Sequence, residues 1–415
     1  MYSEIFKCRI CGNDKLVELL DIGVHALTGV FPRTKDELIT TGPLVLVKCD
    51  ESDSKSCGLV QLKHNFSLSE MYGMNYGYRS SLNSSMVDHL RQKVERVEKL
   101  TILSEGDIIL DIGSNDCTLL KSYSNRSLNF IGIDPTGEKF REYYPEEVKL
   151  IPDFFSAKNF SKVFGEKKAK VVTSIAMFYD LEAPQDFVNE VASILDTDGI
   201  WVFEQSYLPS MIDTMSYDTI CHEHLEFYAL KQIKWMADRA GLKIIDVEFN
   251  KVNGGSFSIT VARNESSFPE NTELITQILN KEINDGYETL RPLQKFADEV
   301  DETKAELLAL LNKLKDQGKT VLGYGASTKG NVTLQYCAIT SDLIPVIADV
   351  NPDKFGKMTP ETHIPIVSEE DASKLNPDYY LVLPWHFRDN ILSRETAYMD
   401  AGGKFIFPFP VLEIV

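Results

Sequence analysis
The sequence predicts an α/β protein in three parts: a small cysteine-rich N-terminal module, a Rossmann-like domain, and a second, smaller Rossmann-like C-terminal domain. Three observations carry that expectation. Cys8, Cys11, Cys49 and Cys57 fall in the first 60 residues, whereas Cys117, Cys221 and Cys337 are scattered singly. Short apolar runs alternate with stretches of helical period through the rest of the chain. Two of those runs end in glycine turns, "DIGSNDC" and "GYGASTKG".

A chain of 415 residues is too long for one ordinary core and suggests two or three domains. With 43% hydrophobic and 25% charged residues it has the composition of a folded soluble protein. Forty-three Lys and Arg against 62 Asp and Glu give a net charge of −19, which repels nucleic acid and anionic membrane. The start "MYSEIFKCRICG" lacks the apolar run of a signal peptide, and no stretch reaches the roughly 18 apolar residues of a membrane span. A cytoplasmic protein is expected, with no membrane or nucleic-acid partner, as a monomer or small homo-oligomer.

In a reducing compartment the clustered thiols are better explained by a metal than by disulfides. "FKCRICGN" holds two of them at a knuckle and "VKCDESDSKSCGLVQL" the other two, although the acidic insert widens the second pair. Four thiolates suit one tetrahedral Zn²⁺ with no position left for a reacting water, so the zinc is expected to be structural.

From "SLNSSMVDHLRQKVERVEKL" the helical period leads into a buried strand, Ile108 to Ile112, a glycine turn and a helix from near Asp116. Strand-like runs return at "LNFIGIDP", "AKVVTSIAMFY", "GIWVFEQSYL" and "LKIIDVEFN", which implies a doubly wound parallel sheet. A charged, helical stretch from Glu265 reads as a connecting pair of helices before the strand–turn–helix pattern recurs at "KTVLGYGASTKGNVTLQYC". The expected domains are therefore 1–74, 75–264 and 265–415.

The two turns differ. The first has only Gly113, with Asn115 and Cys117 where a dinucleotide turn would carry glycines, and so fits a ligand without phosphate. An amino-acid carboxylate can lie against Gly113 and the helix start while Asp134, ending the next strand, takes two ribose hydroxyls. That combination describes S-adenosylmethionine, with Asp111 near its cationic half and "PDFF", including Asp153 and Phe154, closing over the adenine. The alternative for Asp134 is a capping residue before Pro135. The second turn carries Gly323, Gly325 and Gly330 with Ser327, Thr328 and Lys329, and favours a phosphate or, alternatively, close packing on a neighbouring strand.

The residues together resemble the S-adenosylmethionine-dependent C-methyltransferases that act on nucleotide-linked keto-deoxysugars. The likeness runs from the cysteine module through "DIGSNDC" and "ICHEHLEFY" to "NGGSF", "GYGASTKGN" and "DVNPDKFGKMTPETHIPI". It implies a zinc-binding N-terminal module, a central domain for the methyl donor, and a nucleotide sugar in the cleft facing the C-terminal domain. It further implies methylation at C3 of a 4-keto-6-deoxyhexose, with the second histidine of the HEH triplet as base.

The chemistry agrees with that implication. A carbon beside a ketone needs a base, a stabiliser for the enolate oxygen, and a methyl sulfonium in line. In "YDTICHEHLEFY" the base is expected to be His224, with Glu223 or Glu226 orienting it. A metal is a poorer fit, because the spacing is not H-E-x-x-H. His222 is a candidate for substrate contact or a structural histidine. Relatives commonly have Tyr where this chain has Cys221, and a thiol is a poor donor to an oxyanion. Tyr76 and Tyr78 in "MNYGYRSS" match family tyrosines that can replace it, and Tyr179 and Asp180 stand where many relatives carry an active-site histidine. Asn253, Gly254 and Gly255 in "KVNGGSF", with Ser327, Lys329 and Asn331, are the remaining substrate-binding candidates. Competing functions are an O-methyltransferase, a scaffold that only senses S-adenosylmethionine, and a nicotinamide-dependent dehydrogenase.

Overall fold
The computed structural model describes residues 2–53, 55–72 and 78–415. Strand Ile108–Ile112 is buried along its whole length because it lies inside a seven-stranded sheet with both faces covered. Across that sheet the order is Leu242–Asn250, Ser256–Arg263, Leu195–Ser206, Ala169–Ile175, Ile108–Ile112, Asn129–Ile133, Lys149–Ile151. Six strands run in one direction, but Ser256–Arg263 runs antiparallel to both of its neighbours. The expected all-parallel sheet is corrected here, since the "KVNGGSF" segment is a hairpin turn that reverses the chain between Asn250 and Ser256.

The helix expected after Asp116 is a single turn, Thr118–Lys121, since Cys117 at φ 66° breaks the helical path before it. Helix Ser84–Leu100 covers one face of the sheet with Met86, Leu90, Val94 and Val97. The other face packs Leu110, Ile131, Val172, Trp201 and Phe203 under helices Pro184–Ile194 and Leu230–Arg239.

The C-terminal sheet orders Ile366–Ser368, Ile347–Asp349, Val321–Tyr324, Tyr379–Val382 and Lys404–Phe407 in parallel, with Glu413–Ile414 antiparallel at the edge. Strand order thus reverses beside Val321–Tyr324, as it does beside Ile108–Ile112 in the larger sheet. Ligands of open α/β sheets bind outside the carboxyl ends at such reversals. The connecting stretch forms helices Thr272–Asn284 and Arg291–Asp316.

The N-terminal sheet pairs Leu16–Ala26, Thr41–Cys49 and Val60–Leu62, and its fourth strand is Glu226–Phe227 from the HEH segment. Tyr217, Ile220, Cys221 and Leu225 are buried in one core with Leu44 and Leu46 of this module and Leu322, Val382 and Phe405 of the C-terminal sheet. At about 1.5–3 kcal/mol per fully buried large apolar side chain, that shared core fixes the HEH loop between two domains. Among the described residues no helix is long and apolar enough to cross a membrane.

Candidate active site
The four clustered cysteines meet in space: their sulfurs all lie within 4.8 Å of one another, with Cys8 and Cys57, and Cys11 and Cys49, 3.5 Å apart. A tetrahedral Zn²⁺ with Zn–S bonds of about 2.3 Å requires sulfurs roughly 3.8 Å apart, so this donor set fits zinc, and 3.5 Å is far beyond a disulfide bond. The knuckle is made by Gly12, at φ 72°, whose amide donates to the Cys8 carbonyl. Arg9, between the first two cysteines, is buried and donates to the carbonyls of Leu62 and His64, with Glu226 3.7 Å from its Nε.

At the first glycine turn, Gly113 has φ 74° and a Cβ there would lie 3.1 Å from Met177. The Asn115 amide donates to Asp134 Oδ2 at 2.8 Å, and Asp134 Oδ1 accepts from the Thr136 amide at 2.6 Å. Asp134 therefore closes its own turn as well as standing where ribose is expected. The Asn115 side chain accepts from the Ser80 amide, so it too holds the turn. Asp111 is buried, accepts from Thr173 Oγ1 at 2.6 Å, and is pushed up to about 7 by burial. A carboxyl is raised in this way when it is buried without a neighbouring cation. Asp153 accepts from the Phe154 amide and from Asn159 Nδ2, while Phe154 is exposed and meets Tyr72 edge-on.

Tyr76 lies outside the described residues. Tyr78 is exposed, and its carbonyl accepts from Asn115 Nδ2 at 3.3 Å, which places it beside the donor turn.

His224 is partly buried, and its Nδ1 is 2.8 Å from the Thr219 carbonyl. A carbonyl only accepts, so Nδ1 carries the proton and Nε2 keeps the lone pair. The ring lies edge-on to Tyr179, with centroids 4.3 Å apart. Burial, aided by the positive charge of Lys329, lowers it to about 3, so the imidazole is neutral at neutral pH. Glu223 is pushed up to about 7 by burial, and a Cβ on Gly29 of the N-terminal module would come within 2.6 Å of its Oε1. Asp180 accepts from the Tyr72 hydroxyl at 2.7 Å and is held well above the carboxylate range by burial and by the charges of Glu223 and Glu226.

His222 does not face this cleft. It is fully buried, with Nε2 3.2 Å from the Gly42 carbonyl and its ring edge-on to Phe66 at 4.6 Å, which corrects the substrate-contact expectation to packing. The Cys221 thiol is likewise fully buried.

The second glycine turn departs most from expectation. Ser327 Oγ accepts from the Gly330 amide at 2.9 Å, capping helix Thr328–Tyr336 with its own side chain. Gly325 closes on Pro384, and Lys354 Nζ donates to the Ala326 carbonyl at 2.7 Å. Asn331 is fully buried and donates to the Thr28 carbonyl at 2.7 Å. The Ala326, Gly330 and Asn331 amides are thus paired inside the protein, as are the Ser327 hydroxyl and the Asn331 side chain. Lys329 leaves this turn altogether: its Nζ donates to the Asn253 carbonyl at 3.0 Å, at the hairpin where Asn253, Gly254 and Gly255 all have positive φ. A Cβ on Gly254 would lie 3.0 Å from Trp385, and one on Gly255 2.5 Å from Ser210.

Sequence inspection missed three members of this cleft. Trp385 Nε1 donates to Asp218 Oδ2 at 2.9 Å, and His386 follows Trp385 at the end of strand Tyr379–Val382. The available signal was positional, since "PWH" follows the strand at the C-terminal order reversal.

Three family models match successive stretches of the chain: a zinc binding domain over residues 8–72, a methyltransferase domain over 83–247, and a C-methyltransferase C-terminal domain over 251–410. The chain is 29% identical to the C-methyltransferase NovU of Streptomyces niveus, over 99% of its own length and 97% of that protein's. Among solved structures it is similar to the CcbJ methyltransferase of Streptomyces caelestis, at 13% identity over 42% of this chain and 89% of that one, with a TM-score of 0.33. An O-methyltransferase family protein from Burkholderia thailandensis is similar at 17% identity over 45% and 59%, with a TM-score of 0.34.

Proposed function
We propose that this chain, whose successive stretches match a zinc binding domain, a methyltransferase domain and a C-methyltransferase C-terminal domain, is an S-adenosylmethionine-dependent C-methyltransferase whose acceptor is a nucleotide-linked keto-deoxysugar, methylated at C3 of a 4-keto-6-deoxyhexose. The observation that carries this is His224: a neutral imidazole whose Nδ1–H is tied to Thr219, leaving the Nε2 lone pair unprotonated beside Tyr179. Such a group removes a proton from carbon beside a carbonyl. Asp111, Asp134 and the Gly113 turn hold the donor, and Asp153 and Phe154 lie at its adenine end. Bound S-adenosylmethionine supplies an electrophilic methyl group on a sulfonium. Cys8, Cys11, Cys49 and Cys57 hold zinc as a structural ion, remote from proton transfer because four thiolates leave no open position.

Turnover of a dTDP-linked 4-keto-6-deoxyhexose with methyl-¹³C S-adenosylmethionine tests the proposal. A ¹³C methyl signal coupled to a quaternary or tertiary ring carbon is expected; an O-methyl signal rejects it. His224→Asn is expected to lower turnover at least about 10³-fold, the upper part of what general-base loss costs, while S-adenosylhomocysteine still binds.

A further inference from the structure
We propose that Lys329 is a catalytic residue of this chain, the cation against which the enolate oxygen forms, an assignment that rests on the proposed enolate chemistry. The need for such a group is evident at position 221, where the fully buried Cys221 offers only a thiol, a poor donor to an oxyanion. Helix Thr328–Tyr336 is pinned to the N-terminal module by Asn331 on the Thr28 carbonyl and by Gln335 on both the amide and the carbonyl of Ala26. From that fixed base Lys329 crosses to the hairpin, where one of its three N–H groups is taken by the Asn253 carbonyl. Among the described residues no carboxylate lies within ion-pair distance of it.

Around it stand His224, Asp218 and His386: the Lys329 charge depresses both imidazoles, after burial, and acts on Asp218. Burial in turn lowers Lys329 itself, against the raising influence of Asp218 and Cys221. Asp218 Oδ2 accepts from the Trp385 indole, and Asp218 acts on the ammonium through space without forming an ion pair. An ammonium with two further N–H donors, acting on the neutral His224 imidazole at the C-terminal order reversal, is placed to receive developing negative charge.

The step balances as follows. His224 Nε2 takes the proton, the C–H electron pair becomes the C=C bond, and the carbonyl π pair moves to oxygen, where Lys329 donates a hydrogen bond. The acceptor carbon then forms its bond to the methyl group as the S–C pair returns to sulfur, the carbonyl reforms, and His224 releases its proton to solvent.

Enolisation can be read apart from methyl transfer, as deuterium exchange at the acceptor carbon of the dTDP-4-keto-6-deoxyhexose in D₂O with S-adenosylhomocysteine bound. Lys329→Met is expected to slow exchange about 10²–10³-fold, the cost of losing one oxyanion donor, with S-adenosylhomocysteine affinity within twofold of the parent. Lys329→Arg is expected to recover at least about tenfold over Met. In the parent protein the rate should fall at alkaline pH as Lys329 deprotonates, and in Lys329→Arg that limb should vanish. Exchange by Lys329→Met within threefold of the parent, or an unchanged alkaline limb in Lys329→Arg, overturns the assignment alone. A parent protein that binds S-adenosylhomocysteine but exchanges no acceptor proton overturns the assignment and the proposed function together.

Discussion

The two glycine turns of this chain are built alike and used oppositely. Each follows a buried strand beside the order reversal of its sheet, and each gives an amide to the aspartate ending the next strand, Asn115 to Asp134 and Ala326 to Asp349. In the first, Asp111 is buried without a cation and pushed up to about 7. In the second, Lys354 reaches the Ala326 carbonyl and stands 3.5 Å from Asp349, plugging the turn from within. Its other lysine, Lys329, is sent into the cleft without a carboxylate in ion-pair reach. One turn thus presents a buried acid without a cation and the other a lysine without an ion pair, charges that the proposed chemistry would set against a cationic donor on one side and an enolate on the other. A turn motif specifies a local path for the backbone; what its amides and neighbours are left free to bind decides its use.

The comparison is broken most severely by taking away the zinc. The N-terminal module supplies the Thr28 and Ala26 carbonyls that hold the Lys329 helix, and Gly29 against Glu223, whereas the Gly113 turn is tied through Asn115 to Asp134 and Ser80. Chelation is expected to lower the thermal midpoint by more than about 10 °C, because structural zinc binding is worth many kcal/mol of folding free energy. Below the transition, S-adenosylhomocysteine should still bind within about fivefold, while deuterium exchange at the acceptor carbon is lost. Equal loss of both by calorimetry and NMR would show that the two turns are not independently supported.

A smaller effect separates the two aspartates. Asp134→Ala leaves the Asn115 and Thr136 amides without their acceptor and removes the ribose partner, so calorimetry should show donor affinity falling at least about 100-fold, or roughly 2.7 kcal/mol. Asp349→Ala removes the carboxylate that accepts from the Ala326 and Asn351 amides and should lower the thermal midpoint by several degrees with donor affinity within twofold. If Asp349→Ala abolished donor binding, the second turn would have to be a ligand site after all.

Much of this was legible from the chain because it is local. The strand Ile108–Ile112, its glycine, and an acid 21 positions beyond Gly113 are one contiguous pattern, and cysteine spacing announces a shared ion. Chain reversal at "KVNGGSF" was open to two readings, since a glycine pair marks both a hairpin and a close approach, and the structure uses it for both. What could not be read was tertiary. Glu226–Phe227 joins the N-terminal sheet as a two-residue strand too short to show a period. Cys221 and His222 directly precede Glu223 and His224 in sequence yet are buried in a core supplied by other domains. Ser327 and Asn331 belong to a turn whose sequence is the same whether its amides meet a phosphate or their own serine.

The smallest expected effect lies on the acid that faces the boundary between the halves. Glu223 is raised from 4.5 to about 7 by burial alone. In the unfolded chain it ionises near pH 4.5, and in the folded protein only near 7, so the folded state holds the extra proton through that window. Its contribution to stability is therefore fully present below about pH 4.5 and is lost as pH rises to 7. Glu223→Gln cannot ionise and escapes the loss. Thermal midpoints of parent and variant are expected to agree most closely near pH 4.5–5 and to diverge by a few degrees in favour of the variant by pH 8. A difference that stays constant across that range would mean that Glu223 meets a cation in the folded protein, and the donor side would then no longer be the half with acids lacking a partner.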